Sequence, residues 1–297
     1  MPELPEVETI ARELHARLAG RRVESVRVFR ADVLRGTSAE HLAHTCRGRT
    51  IQRAWRRAKT GILSLTGGWH LLVQPRFTGS VLVADAPDSA PHTPETMPGS
   101  TREHSPELAH APEPDAYTTV EWTLQDGGCF WYRDVRRLGT VTLVDESGLA
   151  AYDARIGTEP LDPAFDVDRL SGLLRVSRTA IKKVLMDQRV IAGIGNIYAN
   201  EALWRAGIDP SRASRSLQRA EVARLHEALT SVLAASIQAR GTTFRDYRDP
   251  SNRSGTFAAQ LLAYGRGGAP CARCRTALVE THAIDGRSTV FCHRCQR

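Results

Sequence analysis

Met1-Pro2-Glu3-Leu4-Pro5-Glu6-Val7 is the stretch around which the rest of the chain is organised. We expect removal of the initiator methionine, which would leave Pro2 as a free secondary amine. An α-amino group has a pKa of roughly 8, so it is partly neutral near pH 7 and acts as a nucleophile. Such an amine can attack a sugar C1′ or an aldehyde carbon. The carboxyl group of Glu3, the next residue, can then donate or accept a proton.

The same residues also fit the ordinary start of a helix. Pro5 suits a first helical turn, and Glu6 and Glu8 suit the positive end of the helix dipole. Apolar residues at helical spacing predict a helix over residues 6–18, ending at Gly20. This stretch alone leaves the catalytic and the purely structural interpretations open.

Composition restricts the class of protein. The 297 residues are 41% hydrophobic and 25% charged, which predicts a folded chain of about two domains. The net charge of +7 and the isoelectric point of about 9.4 favour a polyanionic partner, although they also fit a protein that is merely soluble. We find no signal peptide or membrane-length apolar run, so we expect a cytoplasmic monomer without a membrane partner.

Hydrophobic periodicity predicts an α+β protein. Short apolar segments in residues 1–150 predict a β-sandwich with the first helix packed on it, interrupted at residues 85–116 by an insertion with seven prolines and three histidines. A linker is predicted over 151–168, and helices follow in 169–260. The predicted strands are 23–29, 50–55, 61–65, 69–74, 80–83, 117–124, 129–133 and 139–144, and the predicted helices of the second half are 167–174, 179–187, 196–206 and 218–240.

The cysteines of residues 261–297 form the strongest single motif. Two C-x2-C pairs are separated by 17 residues, a spacing typical of a tetrahedral four-thiolate zinc site. Four thiolates leave no open position, so the ion would be structural; a redox pair is the alternative, but it needs only one C-x2-C. The predicted ligands are Cys271, Cys274, Cys292 and Cys295.

Segments 277–283 and 288–291 can pair as a hairpin across Asp285-Gly286. Arg287 would then lie at the tip of a rigid finger, where it could bind a phosphate or remain solvated.

Three further basic or glycine-rich motifs carry binding hypotheses. In Gly193-Ile194-Gly195-Asn196, the turn and Asn196 could bind an anion at a helix N-terminus, or Asn196 could simply cap the helix. Lys182, one helix earlier, would add charge to that surface. Arg136-Arg137 could contact DNA or form a surface charge pair. Lys59 precedes a strand and is uninformative alone.

Taken together and in this order, these motifs resemble the formamidopyrimidine-DNA glycosylase and endonuclease VIII family. The resemblance covers essentially the whole chain apart from 85–116. The Leu4-Pro5 start and the run from Asn196 to Glu201 are more similar to the formamidopyrimidine branch. The other segments that carry it are Arg56-Arg57-Ala58-Lys59, Asp134-Val135-Arg136-Arg137-Leu138-Gly139, Tyr264-Gly265-Arg266 and the finger ending in Phe291-Cys292-His293-Arg294-Cys295-Gln296.

The resemblance implies a bifunctional repair enzyme that removes an oxidised base, such as 8-oxoguanine or a formamidopyrimidine, and then nicks the strand by β,δ-elimination. It implies a helix–two-turn–helix domain, a lesion-covering loop at 241–260 and duplex DNA as partner. No catalytic metal or nucleotide cofactor is expected. The implied catalytic roles are Pro2 as nucleophile, Glu3 as acid and base, Glu6 as a further carboxylate, and Lys59, which would contact phosphate and assist elimination. Asn196 and Arg287 would bind phosphates. Phe77, Arg136 and Leu138 would fill the space left by the extruded base.

The chain departs from the family pattern near the predicted DNA surface. Gln74-Pro75-Arg76-Phe77-Thr78-Gly79 stands where the family has His-Leu-Gly-Met-Ser-Gly, and Tyr117 stands where a DNA-contacting histidine is expected. Ser177 likewise replaces a lysine. These changes bear on lesion preference, so an enzyme selective for oxidised pyrimidines remains an alternative. A non-catalytic binder of damaged DNA is the second alternative, although it would have no use for a terminal imine-forming amine.

Overall fold

Helix α1 (Leu4–Leu18) joins the two halves of the molecule. The computed structural model describes residues 2–86, 113–245 and 247–297. Within them, Ile10, Leu14 and Leu18 of α1 belong to the core of the first half, whereas Leu4 belongs to the core of the second. The helix therefore places its first residues at the junction. Most of the predicted insertion 85–116 lies outside the described residues.

The first half is a β-sandwich, as predicted. Two four-stranded antiparallel sheets pack face to face, with strand orders β1-β6-β7-β5 and β2-β3-β4-β8. Their inner side chains alternate with outward ones, so one apolar layer fills the space between the sheets. The strands are β1 (Val23–Val28), β2 (Ile51–Arg57), β3 (Thr60–Leu65), β4 (Trp69–Gln74), β5 (Gly79–Ala84), β6 (Thr118–Leu124), β7 (Cys129–Asp134) and β8 (Thr140–Asp145).

Two helices of this half were not predicted. Helix α2 (Ala39–Cys46) has only three buried residues, and helix α3 (Glu146–Asp153) has none, so neither shows a clear apolar stripe in the sequence. Both begin at a side-chain cap, because Ser38 accepts from His41 N–H and Asp145 accepts from Gly148 N–H. Helix α3 extends past residue 151, the predicted start of the linker.

The second half is helical around its own core, as predicted. Helices α4 (Val167–Arg175), α5 (Ile181–Met186), α6 (Asn196–Ala206) and α7 (Arg219–Gln238) surround it. Buried leucines from each helix fill this core: Leu170, Leu185, Leu203 and Leu229. Helix α6 ends at Gly207, whose φ of 71° is the left-handed conformation that glycine adopts most easily.

The cysteine module is a hairpin attached to α6. Strands β9 (Val279–Thr281) and β10 (Thr289–Phe291) pair antiparallel, and a small core joins Val290 and Leu278 to Trp204 of α6. The carboxylate of Glu201, fully buried in α6, accepts the backbone N–H groups of Leu262, Ala263 and Tyr264 at 2.8–3.1 Å. Helix α6 is thus the support of the finger. None of the described helices is long and apolar enough to cross a membrane.

Glu201→Ala is expected to lower the free energy of unfolding by about 3 kcal/mol, because three backbone N–H groups, of which that of Ala263 is buried, lose a charged acceptor. Urea denaturation measures the change, and Glu227→Ala, an exposed glutamate of α7, is the control. Equal stability of the two variants would show that Glu201 does not anchor the finger.

Candidate active site

The carboxylate of Glu3 is bound at the N-terminus of α6. Gly195 N–H donates to its Oε2 at 2.6 Å and Ile197 N–H donates to its Oε1 at 2.9 Å. A Cβ at Gly195 would lie 2.4 Å from the Glu3 carboxyl carbon, so only glycine permits this approach. One of the two hypotheses for this turn was that its backbone binds an external anion. The structure corrects that hypothesis, because the protein's own Glu3 carboxylate occupies these two N–H groups.

Glu6 is a second buried carboxylate of the same helix start. It accepts the N–H groups of Glu3 at 2.8 Å and Thr242 at 2.7 Å, and the hydroxyl of Tyr198. Burial, and then the charge of Glu3, raises the pKa of Glu6. Glu6 therefore caps α1 and also lies beside Glu3, so the two interpretations of this residue are compatible.

Lys59 is the second residue of the two-residue turn between β2 and β3 and is only 8% exposed. Burial lowers the pKa of Lys59; Glu3 and Glu6 raise it, and Arg287 lowers it further. The fold therefore brings Lys59, the two carboxylates and the finger arginine into one electrostatic neighbourhood, although they are far apart in the sequence.

Pro2 forms part of the wall of a cleft of about 200 Å³ between the two halves. Phe77 and Arg136 form another part, and the Arg136 guanidinium lies 5.5 Å from the centre of the Phe77 ring. Phe77 is 50% exposed, so its ring is available to a ligand. The remaining lining residues are Ile197, Thr242, Phe244, Arg245 and Tyr247.

Buried Asp134 holds together the two loops that carry Phe77 and Arg136. Its Oδ1 accepts the Thr78 hydroxyl at 2.5 Å and Arg136 N–H at 3.2 Å, and its Oδ2 accepts Gly139 N–H at 2.8 Å. The side chains predicted to fill the space of an extruded base thus share one rigid support.

Leu138 and Tyr117 lie outside the lining of this cleft. Leu138 is 40% exposed, between Arg136 and Gly139. Tyr117 is 48% exposed, and the Arg133 guanidinium lies 4.9 Å from the centre of its ring. Both are accessible, as a surface contact with DNA requires.

The four finger cysteines form a metal-ligand cluster. Their sulfur atoms all lie within 4.8 Å of one another, and Cys274 Sγ is 3.5 Å from Cys292 Sγ. A tetrahedral zinc site with bonds of about 2.3 Å places its sulfurs roughly 3.8 Å apart, which matches this arrangement. The residues therefore fit the implied metal.

Comparison with known proteins shows to which family this chain belongs. The model of the formamidopyrimidine-DNA glycosylase N-terminal domain matches residues 1–141, and that of the H2TH domain matches 156–248. The chain belongs to the formamidopyrimidine-DNA glycosylase family. It is 40% identical to the formamidopyrimidine-DNA glycosylases of Roseiflexus sp. (strain RS-1), over 302 residues, and of Herpetosiphon aurantiacus, over 297 residues, and it covers 100% of both.

Solved structures of the family have the same fold. The MutM (Fpg) protein of Thermus thermophilus superposes with a TM-score of 0.81 at 32% identity, over 99% of this chain and 98% of that one. Lactococcus lactis Fpg in complex with DNA containing an N7-benzyl-Fapy-dG superposes with a TM-score of 0.82 at 29% identity, over 100% of both chains.

The structure corrects the expectation that Lys182 adds charge to the surface beside Asn196. Its side chain is fully buried, and Nζ donates to the Thr289 hydroxyl at 2.6 Å and to the Ser288 carbonyl at 3.2 Å, beside Asp285. Lys182 therefore binds the finger loop from the protein interior, and its buried side chain is not available as a surface contact for DNA. The apolar spacing of α5 cannot reveal this, because the partners lie more than a hundred residues away.

Asn196 is the first residue of α6, and Gly195 is the N-cap. The Asn196 side chain donates to the Ser288 carbonyl at 2.9 Å, next to Arg287 in the finger loop. Asn196 thus lies where the helix and the finger meet, and its predicted contact with phosphate stays a prediction.

Several contacts of the site were not predicted. Tyr198 and Thr242 bond Glu6, and Asp134 supports the loops of Phe77 and Arg136. Thr242 and Phe244 belong to the predicted lesion-covering loop, but no individual role was predicted for them. Tyr198 and Asp134 lie inside the family motifs, but nothing in their local pattern indicates that their side chains point into the site.

Gly195→Ala is expected to lower the free energy of unfolding by about 2 kcal/mol, because its methyl group would displace Glu3 from two charge-assisted hydrogen bonds. Gly172→Ala in α4, where nothing lies within 4 Å of an added Cβ, is the matched control and should be neutral or stabilising. Thermal or urea denaturation distinguishes them, and identical behaviour would mean that Glu3 is not seated at α6.

Proposed function

We propose that this protein is a bifunctional DNA glycosylase and AP lyase of base excision repair. The observation that carries the proposal is the position of Pro2, at the wall of the interdomain cleft and next to a buried Glu3 carboxylate. Relatives of this chain are formamidopyrimidine-DNA glycosylases, and one solved relative is a complex with DNA containing an abasic site. A cleft between the halves, with exposed Phe77 and Arg136 at its edge, suits a nucleotide turned out of duplex DNA.

The chemistry would begin at the Pro2 amine. Its lone pair attacks C1′, the glycosidic bond breaks, and the base departs with the bonding electrons. Loss of the amine proton and ring opening give an iminium ion between Pro2 and the sugar. Removal of a C2′ proton then breaks the bond from C3′ to oxygen. Removal of a C4′ proton breaks the bond from C5′ to oxygen in a second elimination, and water hydrolyses the iminium ion and releases Pro2.

The surrounding side chains would move protons and hold the substrate. Glu3 would exchange a proton with the sugar as its ring opens. Because burial lowers the pKa of Lys59, a larger share of this amine is neutral and can accept a proton during elimination. Arg287 and Asn196 would bind phosphates beside the lesion.

Insertion of side chains would stabilise the extruded state. Phe77 and Arg136, stacked on each other, would enter the space that the base leaves, with Leu138 beside them and Tyr117 on the flanking surface. Unstacking a base costs a few kcal/mol, and least for a damaged pair. The inserted groups offset that penalty.

We propose an oxidised purine, such as 8-oxoguanine or a formamidopyrimidine, as the preferred lesion. Thr242, Phe244 and Tyr247 of the predicted lesion-covering loop line the cleft, which supports a base-binding role for this loop. The altered stretch 74–79 supports an oxidised pyrimidine as the second candidate, and one Lactococcus lactis relative was solved with DNA containing an oxidised pyrimidine. Excision assays against both lesion classes decide between them.

We also propose that the metal of the finger is one structural zinc ion. Four thiolates at the observed separations suit zinc, and they leave no coordination position for a substrate. Bound zinc would close the base of the hairpin that carries Arg287.

Borohydride reduction tests the nucleophile. The Met-trimmed protein is expected to be trapped covalently on abasic-site DNA, and Pro2→Gly should give at least about tenfold less adduct at early times. Pro5→Ala, a proline of the same helix start without a terminal amine, is the control and should be trapped like the wild type. Full incision by protein that retains Met1, shown by mass spectrometry, would contradict the proposal.

Removal of the metal tests the finger. Chelation that is verified by elemental analysis should abolish DNA binding and increase hydrogen exchange in residues 261–297, because the hairpin core is too small to fold alone. Exchange in the β-sandwich should not change. Retention of DNA affinity after complete loss of zinc would contradict the structural role proposed for the ion.

A further inference from the structure

Residues 157–159 connect the two parts of the site that carry Lys59 and Glu3. On one side, this segment pairs with the chain that leads to α6. Gly157 N–H donates to the Gln188 carbonyl at 2.8 Å, Thr158 N–H donates to the Val190 carbonyl at 3.1 Å, and Ala192 N–H donates to the Thr158 carbonyl at 2.9 Å. Three backbone bonds therefore tie residues 157–158 to residues 188–192.

The segment 188–192 runs directly into the turn that holds Glu3. Gly193 accepts Leu4 N–H at 3.0 Å, and Gly195 donates to the Glu3 carboxylate. Residues 157–158 and the turn that binds Glu3 are therefore parts of one hydrogen-bonded unit.

On the other side, the Glu159 side chain binds Ala58, the first residue of the turn that contains Lys59. Its Oε1 accepts Ala58 N–H at 2.7 Å and one guanidinium nitrogen each of Arg56 and Arg57 at 3.0 Å, and its Oε2 accepts a second nitrogen of Arg56 at 2.7 Å. The Glu159 side chain is 18% exposed. Arg56 also donates to the Ala58 carbonyl at 2.9 Å, so both polar groups of the Ala58 backbone are held.

Ala58 needs such support because its φ is 51°. A non-glycine residue in this left-handed region is disfavoured and persists only where its surroundings fix it. Lys59 comes next in the chain, so the direction in which its side chain enters the site depends on the Ala58 turn.

We propose that Glu159 is a positioning residue for the reaction: it fixes the Ala58 turn so that Lys59 faces Glu3, while its own segment is bonded to the Glu3 turn. The inference rests on the proposed function, since it assigns Glu159 a role in the same elimination. Glu159 acts through Lys59 and does not contact the reacting atoms.

Single-turnover incision of lesion-containing DNA tests the inference. Glu159→Ala should reduce the incision rate by about 100-fold, as a misplacement of roughly 1 Å does, with the DNA dissociation constant unchanged within about twofold. Asp153→Asn is the matched control. Asp153 pairs with Arg57 in the same cluster but does not bond the Ala58 turn, so its variant should incise at the wild-type rate.

Two conservative variants separate positioning from charge. Glu159→Gln keeps the length of the side chain and an acceptor for Ala58 N–H, whereas Glu159→Asp keeps the charge but is one methylene shorter. Positioning predicts that the Gln variant is faster than the Asp variant. The reverse order would overturn the inference. If Glu159→Ala does not fold, the incision rates of these two variants replace its measurement.

A double-mutant cycle with Lys59→Gln completes the test. If Glu159 acts through Lys59, each Glu159 variant should change the incision rate less than about twofold in the Lys59→Gln background. Independent, additive losses would overturn the inference. Failure of the wild type to form a borohydride adduct would instead refute the proposed function, so the two failures are distinguishable.

Discussion

The bond between the Glu3 carboxylate and the N-terminus of α6 is the interaction on which the rest of the structure depends. The first N–H groups of any helix lack acceptors within the helix, and an anion there also meets the positive end of the helix dipole. Here the anion comes from α1, which packs on the β-sandwich, and the helix belongs to the second half. One carboxylate therefore satisfies a helix end, joins two halves and places Pro2 at the cleft.

The site concentrates charged groups that water does not reach. Glu6, Lys59 and Glu3 are all less than 9% exposed, and burial of an unpaired charge is strongly unfavourable. The structure compensates with backbone donors to both carboxylates and with the proximity of Lys59 to them. Exclusion of water strengthens electrostatic interactions in the site, and it also perturbs the pKa values of Glu6 and Lys59 as proton transfer requires.

The finger depends on the helices as much as on its cysteines. Lys182 of α5 binds the loop beside Arg287, Asn200 of α6 accepts Val290 N–H at 2.7 Å, and Glu201 holds the chain that enters the finger. A metal closes only the base of such a hairpin. The orientation of Arg287 relative to the cleft is therefore set by buried polar contacts with α5 and α6.

The sequence by itself determined the fold class, the bounds of most strands and helices to within a few residues, and the four-cysteine cluster. Alternation, helical periodicity and C-x2-C spacing are local, so they can be read without a structure. Helices α2 and α3 were not predicted, because few of their residues are buried and their sequences show no clear apolar stripe. Tertiary structure alone decided three features: the Glu3 carboxylate binds the N-terminus of α6, Lys182 is buried, and Glu159 binds the turn that contains Lys59. Each of these is a contact between residues about one hundred or more positions apart, and a buried polar side chain gives no periodic signal that names its partner.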